Sequence, residues 1–341
     1  MARRLAISLV VVVLVATGTA SGAPKPRESF ASTQIDAVVA AGLMAPSASA
    51  FRPNDPLTET EFASALASLG ATISVVDPYR PVTIRELDAR LVSLVGLRSA
   101  AMQIRLAAFN AGLAPKPWLG TETIARMLGL RINHERPSEA LELQVSQPAT
   151  RAEAAYSIAR VLGLTPDDLE AARETAATFA VPYLSDWQRA VISRALRFVG
   201  SPYVWAGTSE RKQRLSGELL PGGFDCSGLV WRVYKLEAYA GAPALAKVLR
   251  GRTSYAMSGE VGRSARIARD ALEPGDVVFF GDRGVRSSPA EVGHMGIYVG
   301  NDWIVHSSRF GTTLTPLRDW YETRFAWGRS PLAEAGLVAR A

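Results

Sequence analysis

The chain is short of cysteine, of histidine and of long apolar runs, and each shortage narrows what it can be. Its 341 residues include one cysteine, Cys226, so no disulfide can form within the chain. Three histidines, His134, His294 and His306, leave little material for a metal centre. No apolar run reaches the ~20 residues that span a bilayer. The formal charge is +6, yet no Lys/Arg run is long enough to track phosphates and no nucleic-acid fingerprint occurs. Hydrophobic residues at 48% and charged residues at 21% describe ordinary globular material. The length suits about two domains of roughly 150 residues each.

Residues 1–23 read as a secretory signal: Arg3 and Arg4 open it, Leu5 to Ala16 are apolar, and small residues from Thr17 to Ala23 offer a cleavage region. An uncleaved anchor is the alternative. Removing the segment lowers the net charge to +4, a surplus suited to an anionic wall polymer. Export makes the lone cysteine informative. A free thiol outside the cell is open to oxidation, so it is either buried and inert or kept for its reactivity.

Residues 30–164 are Ala/Leu-rich with helical spacing and predict an all-α domain. Thr58 to Glu61, Thr83 to Glu86 and Thr150 to Glu153 each read as a capping box. Pro166 and Pro182 interrupt the pattern, which places a linker at 165–186. A helix from about Trp187 to Val199 opens a second domain over 187–333, strand-rich from Val277 onward, and 334–341 is a tail. His134 reads as an exposed surface residue.

Cys226 sits in Gly-Gly-Phe-Asp-Cys-Ser-Gly at the start of a predicted helix, where free N–H groups and the dipole favour the thiolate. The same N–H groups could stabilise an oxyanion. A thiolate needs a base. His294 and His306 fall on a predicted hairpin, and a three-residue loop at Gly300-Asn301-Asp302 would pair Val299 with Trp303 and Gly296 with His306. Both histidines then share one face, while Met295, Ile297, Val299, Trp303 and Val305 form the apolar other. A two-residue loop would split them. Gly296 should leave open space beside His306. Cys226, His294 and His306 are therefore the candidate nucleophile, base and orienter. Two readings compete with this: a Cys-His-His zinc site, for which no fourth ligand is evident, and histidines packed merely for structure.

The motifs "GSPYVWAG" (200–207), "FDCSG" (224–228), "EPGDVVFF" (273–280), "GHMGIYVG" (293–300) and "WIVHSS" (303–308) resemble NlpC-type, papain-like cysteine peptidases. The resemblance implies an α+β catalytic domain, helices packed on an antiparallel sheet, after the all-α N-terminal domain. It implies a cofactor-free endopeptidase that cuts peptidoglycan stem peptides at D-glutamyl–diaminopimelate or similar bonds through a thioester. Cys226, His294 and His306 would be catalytic, Tyr203 would line the oxyanion region, and Asp225 and Ser227 would position substrate. An amidase or acyltransferase on the same scaffold, or a non-catalytic wall-binding protein, are the rivals. Ala206 stands where the family has glycine, and the stretches 208–223 and 237–272 are long. Residues 35–71 and 148–164 resemble S-layer homology repeats. Those bind wall polysaccharide and would give Arg151 a role there; a helical spacer is the alternative. The place implied is secreted, extracellular or wall-associated, or periplasmic given an outer membrane.

Overall fold

The computed structural model describes residues 29–134 and 142–340. The predicted signal segment lies outside them. Among the described residues no single helix is long and apolar enough to cross a membrane.

The first half is helical, with α1 (Ser32–Ala40), α2 (Glu59–Ser68), α3 (Ile84–Leu94), α4 (Arg98–Asn110), α5 (Leu119–Met127) and α6 (Arg151–Leu162). The residues just before α2, α3 and α6 (Leu57, Val82 and Ala149) hydrogen-bond in a ring. Leu57 N–H donates to Ala149, Ala149 N–H to Val82 and Val82 N–H to Leu57, each at 2.8 Å. All three side chains are buried, so the repeated helix starts converge on one axis. Thr58 and Thr83 form complete capping boxes with Glu61 and Glu86.

The third box is only half made. Thr150 accepts from the Glu153 N–H, but the Glu153 carboxylate is drawn inward by Arg131 at 2.8 Å and His134 at 3.1 Å. His134 is thus buried rather than exposed, stacked on Phe30 with ring centroids 3.8 Å apart. Arg151 is 2% exposed. It donates to the Phe51 and Met44 carbonyls at 2.7 and 2.6 Å and pairs with Glu61. Its donors tie three segments of the domain together and are not offered to a wall polymer.

The expected linker contains α7 (Pro166–Ala177). Proline at the first helical position surrenders an N–H that no helix uses, so Pro166 starts a helix instead of breaking one. α7 packs against α4 and α5 and belongs to the helical half.

The second half opens with α8 (Asp186–Leu196), close to expectation. Residues 208–223 fold into paired strands. β1 (Thr208–Ser209) pairs with β4 (Gly223–Phe224), and between them β2 (Gln213–Leu215) pairs with β3 (Glu218–Leu220). α9 (Cys226–Trp231) follows, then the short helices α10 (Leu245–Val248) and α11 (Ser254–Gly259). The strands β5 (Val277–Gly281), β6 (Val292–Gly300), β7 (Trp303–Ser308), β8 (Gly311–Pro316) and β9 (Phe325–Arg329) form one antiparallel sheet in the order β8-β7-β6-β5-β9. α12 (Trp320–Arg324) and α13 (Pro331–Glu334) complete the domain. The expected tail is tied down: Leu337 and Val338 pack on the core and Arg340 pairs with Asp276 at 2.9 Å.

The halves meet through directed polar contacts. Arg126 of α5 donates to the carbonyls of Gly200 and Phe310, Asn133 N–H to the Arg309 carbonyl at 3.1 Å, and Gln144 to the Gly222 carbonyl at 2.7 Å. Behind Arg126 lies a buried set of charges. Glu142 bonds Arg126 at 2.8 Å and Arg131 at 3.2 Å, and Glu122 and Asp88 lie beside the two guanidiniums. Burial, reinforced by the Glu122 charge, holds the Asp88 carboxyl well above the usual carboxylate range.

Candidate active site

Gly207, Gly223 and Gly228 let three backbone segments meet around Cys226. A Cβ on Gly228 would fall 1.8 Å from the Gly207 carbonyl oxygen, and one on Gly207 would fall 2.4 Å from the Gly223 oxygen. Asp225 caps α9 by accepting from the Gly228 N–H, and Ser227 Oγ donates to Asp225 at 3.0 Å. The thiol therefore emerges at the first helical residue, as the sequence predicted. α9 packs across β6 and β7, and the Met295 and Ser227 backbone N–H groups point at the sulfur.

The hairpin reaches the predicted register by another route. Asn301 and Asp302 form a two-residue turn, both at positive φ (48° and 59°), and Gly300 pairs with Trp303. A two-residue loop alone would shift parity by one. A bulge between Tyr298 and Gly300 takes up the extra residue, so Gly296 still faces His306. Met295, Ile297, Val299, Trp303 and Val305 lie in the main core. The space beside Gly296 is not open: a Cβ there would sit 3.0 Å from both the His306 Cβ and the Val305 oxygen. Glycine is needed for close approach, not for a void.

His294 Nε2 lies 3.0 Å from His306 Nδ1, and His306 Nε2 lies 3.3 Å from Thr315 Oγ1. Thr313 faces His306 across the β7–β8 pair, and Thr315, two residues on, shares its side of the sheet. Phe280, Trp320 and Tyr321 surround the imidazoles, with Tyr321 4.9 Å from His306 and Phe280 5.6 Å from His294. This apolar enclosure pushes the His294 pKa down to about 4 and His306 well below its ordinary value. Burial, with the Asp225 charge beside it, pushes the Cys226 thiol up to about 12 against its backbone N–H donors. Burial at the thiol therefore works against the helix start, and burial at the rings favours neutral imidazoles.

Tyr203 bridges to Phe224 and lies near enough to Cys226 and Asp225 for their charges to add to the burial that raises its phenol. Ala206 occupies a left-handed position, φ 60°, which explains why glycine suits it. Two parts of the site escaped sequence reasoning. One is Arg252, from the long stretch 237–272, which donates to Ser227 Oγ at 2.8 Å, to the Ala206 carbonyl at 2.9 Å and to Asp225 at 3.4 Å. The other is the aromatic enclosure. Both come from segments whose fold is set by distant packing. Among the described residues no cluster of three or more His, Cys, Asp or Glu side chains could hold a metal ion.

Residues 200–329 match the NlpC/P60 family. They form an NlpC/P60 domain. Murein DD-endopeptidase MepH of Escherichia coli is 33% identical over 123 residues, 36% of this chain and 37% of that protein. The bifunctional muramidase/DL-endopeptidase CwlT of Bacillus subtilis is 31% identical over 147 residues, 42% of this chain and 37% of that protein. The chain thus spans little more than a third of either relative. The crystal structure of an NlpC/P60 family protein from Bacillus cereus aligns at a TM-score of 0.33 and 25% identity, covering 46% of this chain and 43% of that one. The family match begins at Gly200, beyond the helical half.

Proposed function

We propose that the chain is an exported cysteine endopeptidase that hydrolyses peptidoglycan stem peptides, with the NlpC/P60 domain as its catalytic part. The observation that carries this is the His294–His306–Thr315 chain of ring and hydroxyl contacts on the strands against which the Cys226 helix packs. Thr315 accepts from His306 Nε2–H, so His306 Nδ1 accepts from His294 Nε2–H. That leaves the His294 Nδ1 lone pair free to take the thiol proton. As substrate binds, the Cys226 proton passes to His294 and the sulfur attacks the amide carbonyl. The oxyanion that forms is met by backbone N–H groups at the start of α9 and by Tyr203. His294 returns the proton to the leaving amine, and water, deprotonated by the same ring, hydrolyses the thioester. Asp225 and Ser227, held by Arg252, shape the acyl side of the groove.

The bond we assign is the D-glutamyl–diaminopimelate type. The Ala/Leu-rich helical half is a spacer and a wall of the site, and residues 1–23 direct export to the wall or periplasm. Incubating purified peptidoglycan with the wild type and with Cys226→Ala, then weighing the released muropeptides, tests the reading. New D-glutamyl carboxyl ends that vanish in Cys226→Ala support it. Release of stems from muramic acid at L-alanine would identify an amidase, and unchanged release by Cys226→Ala would overturn the catalytic assignment.

A further inference from the structure

This inference rests on the reading of Cys226 as a stem-peptide nucleophile and names what one wall of the cleft recognises. Beside His294 lies a cleft of about 450 Å³ whose other lining residues are Ser308, Arg309, Phe310, Trp320 and Tyr321. Apart from the histidine, Arg309 is its single ionisable cation. Arg309 is exposed, and among the described residues its guanidinium has no carboxylate partner; its near neighbour is the Phe310 ring, 4.8 Å away. Other arginines of this half are engaged: Arg252 with Asp225, Arg269 with Asp302 and Arg329 with Glu260. The Arg309 charge is felt at Tyr321, where it opposes the upward push of burial on the phenol.

A lone arginine on a loose surface loop would mean little. This one stands on a two-residue turn between β7 and β8, closed by the Ser308–Gly311 pair. The helical half grips that turn from behind. Asn133 donates to the Arg309 carbonyl and Arg126 to the Phe310 carbonyl. A Cβ on Gly311, at φ +74°, would collide with the Arg126 guanidinium. The turn is thus fixed by a backbone N–H and a guanidinium of the helical half, while among the described residues no carboxylate pairs with its one charge.

We propose that Arg309 is a carboxylate clamp that binds the free α-carboxylate of the D-glutamyl residue whose γ-carbonyl Cys226 attacks. A γ-linkage leaves that carboxylate unconsumed, a few bonds from the scissile carbonyl, on the acyl side of the cut. The planar guanidinium fork matches it with two hydrogen bonds. Converting the carboxylate to a carboxamide removes the charge and one acceptor, so the same residue makes the enzyme discriminate against amidated stems.

The test compares two synthetic stem tetrapeptides, one with a free D-glutamyl α-carboxylate and one with the α-carboxamide. Wild type, Arg309→Ala and Arg309→Lys are each assayed on both. Wild type should favour the acid by about tenfold or more in kcat/KM, mainly through KM, the scale of one charge-assisted contact. Arg309→Ala should lose most of the preference for the acid, with a much smaller loss on the amide, and Arg309→Lys should fall between. Equal wild-type rates on acid and amide, or an equal loss on both in Arg309→Ala, overturn the clamp while leaving the peptidase reading intact. If wild type cuts neither tetrapeptide but opens another stem bond through Cys226, the clamp assignment falls with the bond. No Cys226-dependent cleavage at all would instead remove the function on which it rests.

Discussion

Burial moves Cys226 and His294 in opposite directions, each toward its neutral form: the thiol is pushed up to about 12 and His294 down to about 4. Two measurements follow from that. Alkylation of Cys226 by iodoacetamide at pH 7 should be slower than for a free thiol and should climb steeply above pH 9; fast alkylation at pH 6 would reveal a thiolate–imidazolium pair instead. Stability has the opposite exposure to pH. Above pH 6.5 folded and unfolded chains both hold neutral imidazoles. As pH falls from 6.5 toward 4 the unfolded chain takes up protons that the buried rings refuse. Stability therefore drops over that window by up to about 1.4 kcal/mol per pH unit for each ring. Urea midpoints at pH 7, 5.5 and 4.5 should show a shallower fall in His294→Gln than in the wild type, and parallel falls would count against the assignment. In the proposed mechanism Thr315 acts through its neighbour. Thr315→Val removes the acceptor that fixes the His306 tautomer, so kcat should fall about tenfold or more with KM little changed. Thr315→Ser should restore most of the loss, and a variant that lost activity only through KM would contradict a positioning role.

Elements are held at the site by backbone conformations that only certain residues tolerate easily. Ala206 at φ 60° is strained where a glycine would not be. Ala206→Gly should stabilise the domain by about 1 kcal/mol, the relief of a left-handed position less the added freedom of the unfolded chain; a lowered denaturation midpoint would show the Cβ to be useful. Such positions also mark where the sequence could and could not be read. Strand alternation correctly put His294 and His306 on one face, because the core demands Met295, Ile297 and Val305 on the other. The turn was misread because a bulge and a two-residue loop give the same parity as a flat three-residue loop. The Cys226 helix start was visible in its Asp-Cys-Ser-Gly string, while the upward push of burial on the thiol was not. The lowered imidazoles were not legible either, since they depend on desolvation by Phe280, Trp320 and Tyr321, whose approach is decided by β5 and α12 far along the chain. Pro166 was taken for a breaker because a proline at the first position of a helix looks locally like one after its end.

At the scale of the whole molecule, Arg126 is the residue through which the two halves share a fate. Its side chain is 1% exposed, and it faces Glu122 and Glu142 on one side and the Gly200 and Phe310 carbonyls on the other. Removing one member of a buried charge set leaves the others desolvated and unbalanced, typically at a cost of about 3–5 kcal/mol. Arg126→Ala strips the guanidinium from two buried carboxylates and frees the turn that carries Arg309 and Phe310. The full chain should unfold in one transition, seen alike by far-ultraviolet circular dichroism and by tryptophan fluorescence. The fluorescence is dominated by the second half, which holds six of the seven tryptophans. Arg126→Ala should lower that shared midpoint as one. Two separated transitions in the wild type, or a drop confined to the helical signal, would mean that the halves fold independently. The helical half would then be a tethered neighbour of the site and not a part of its wall.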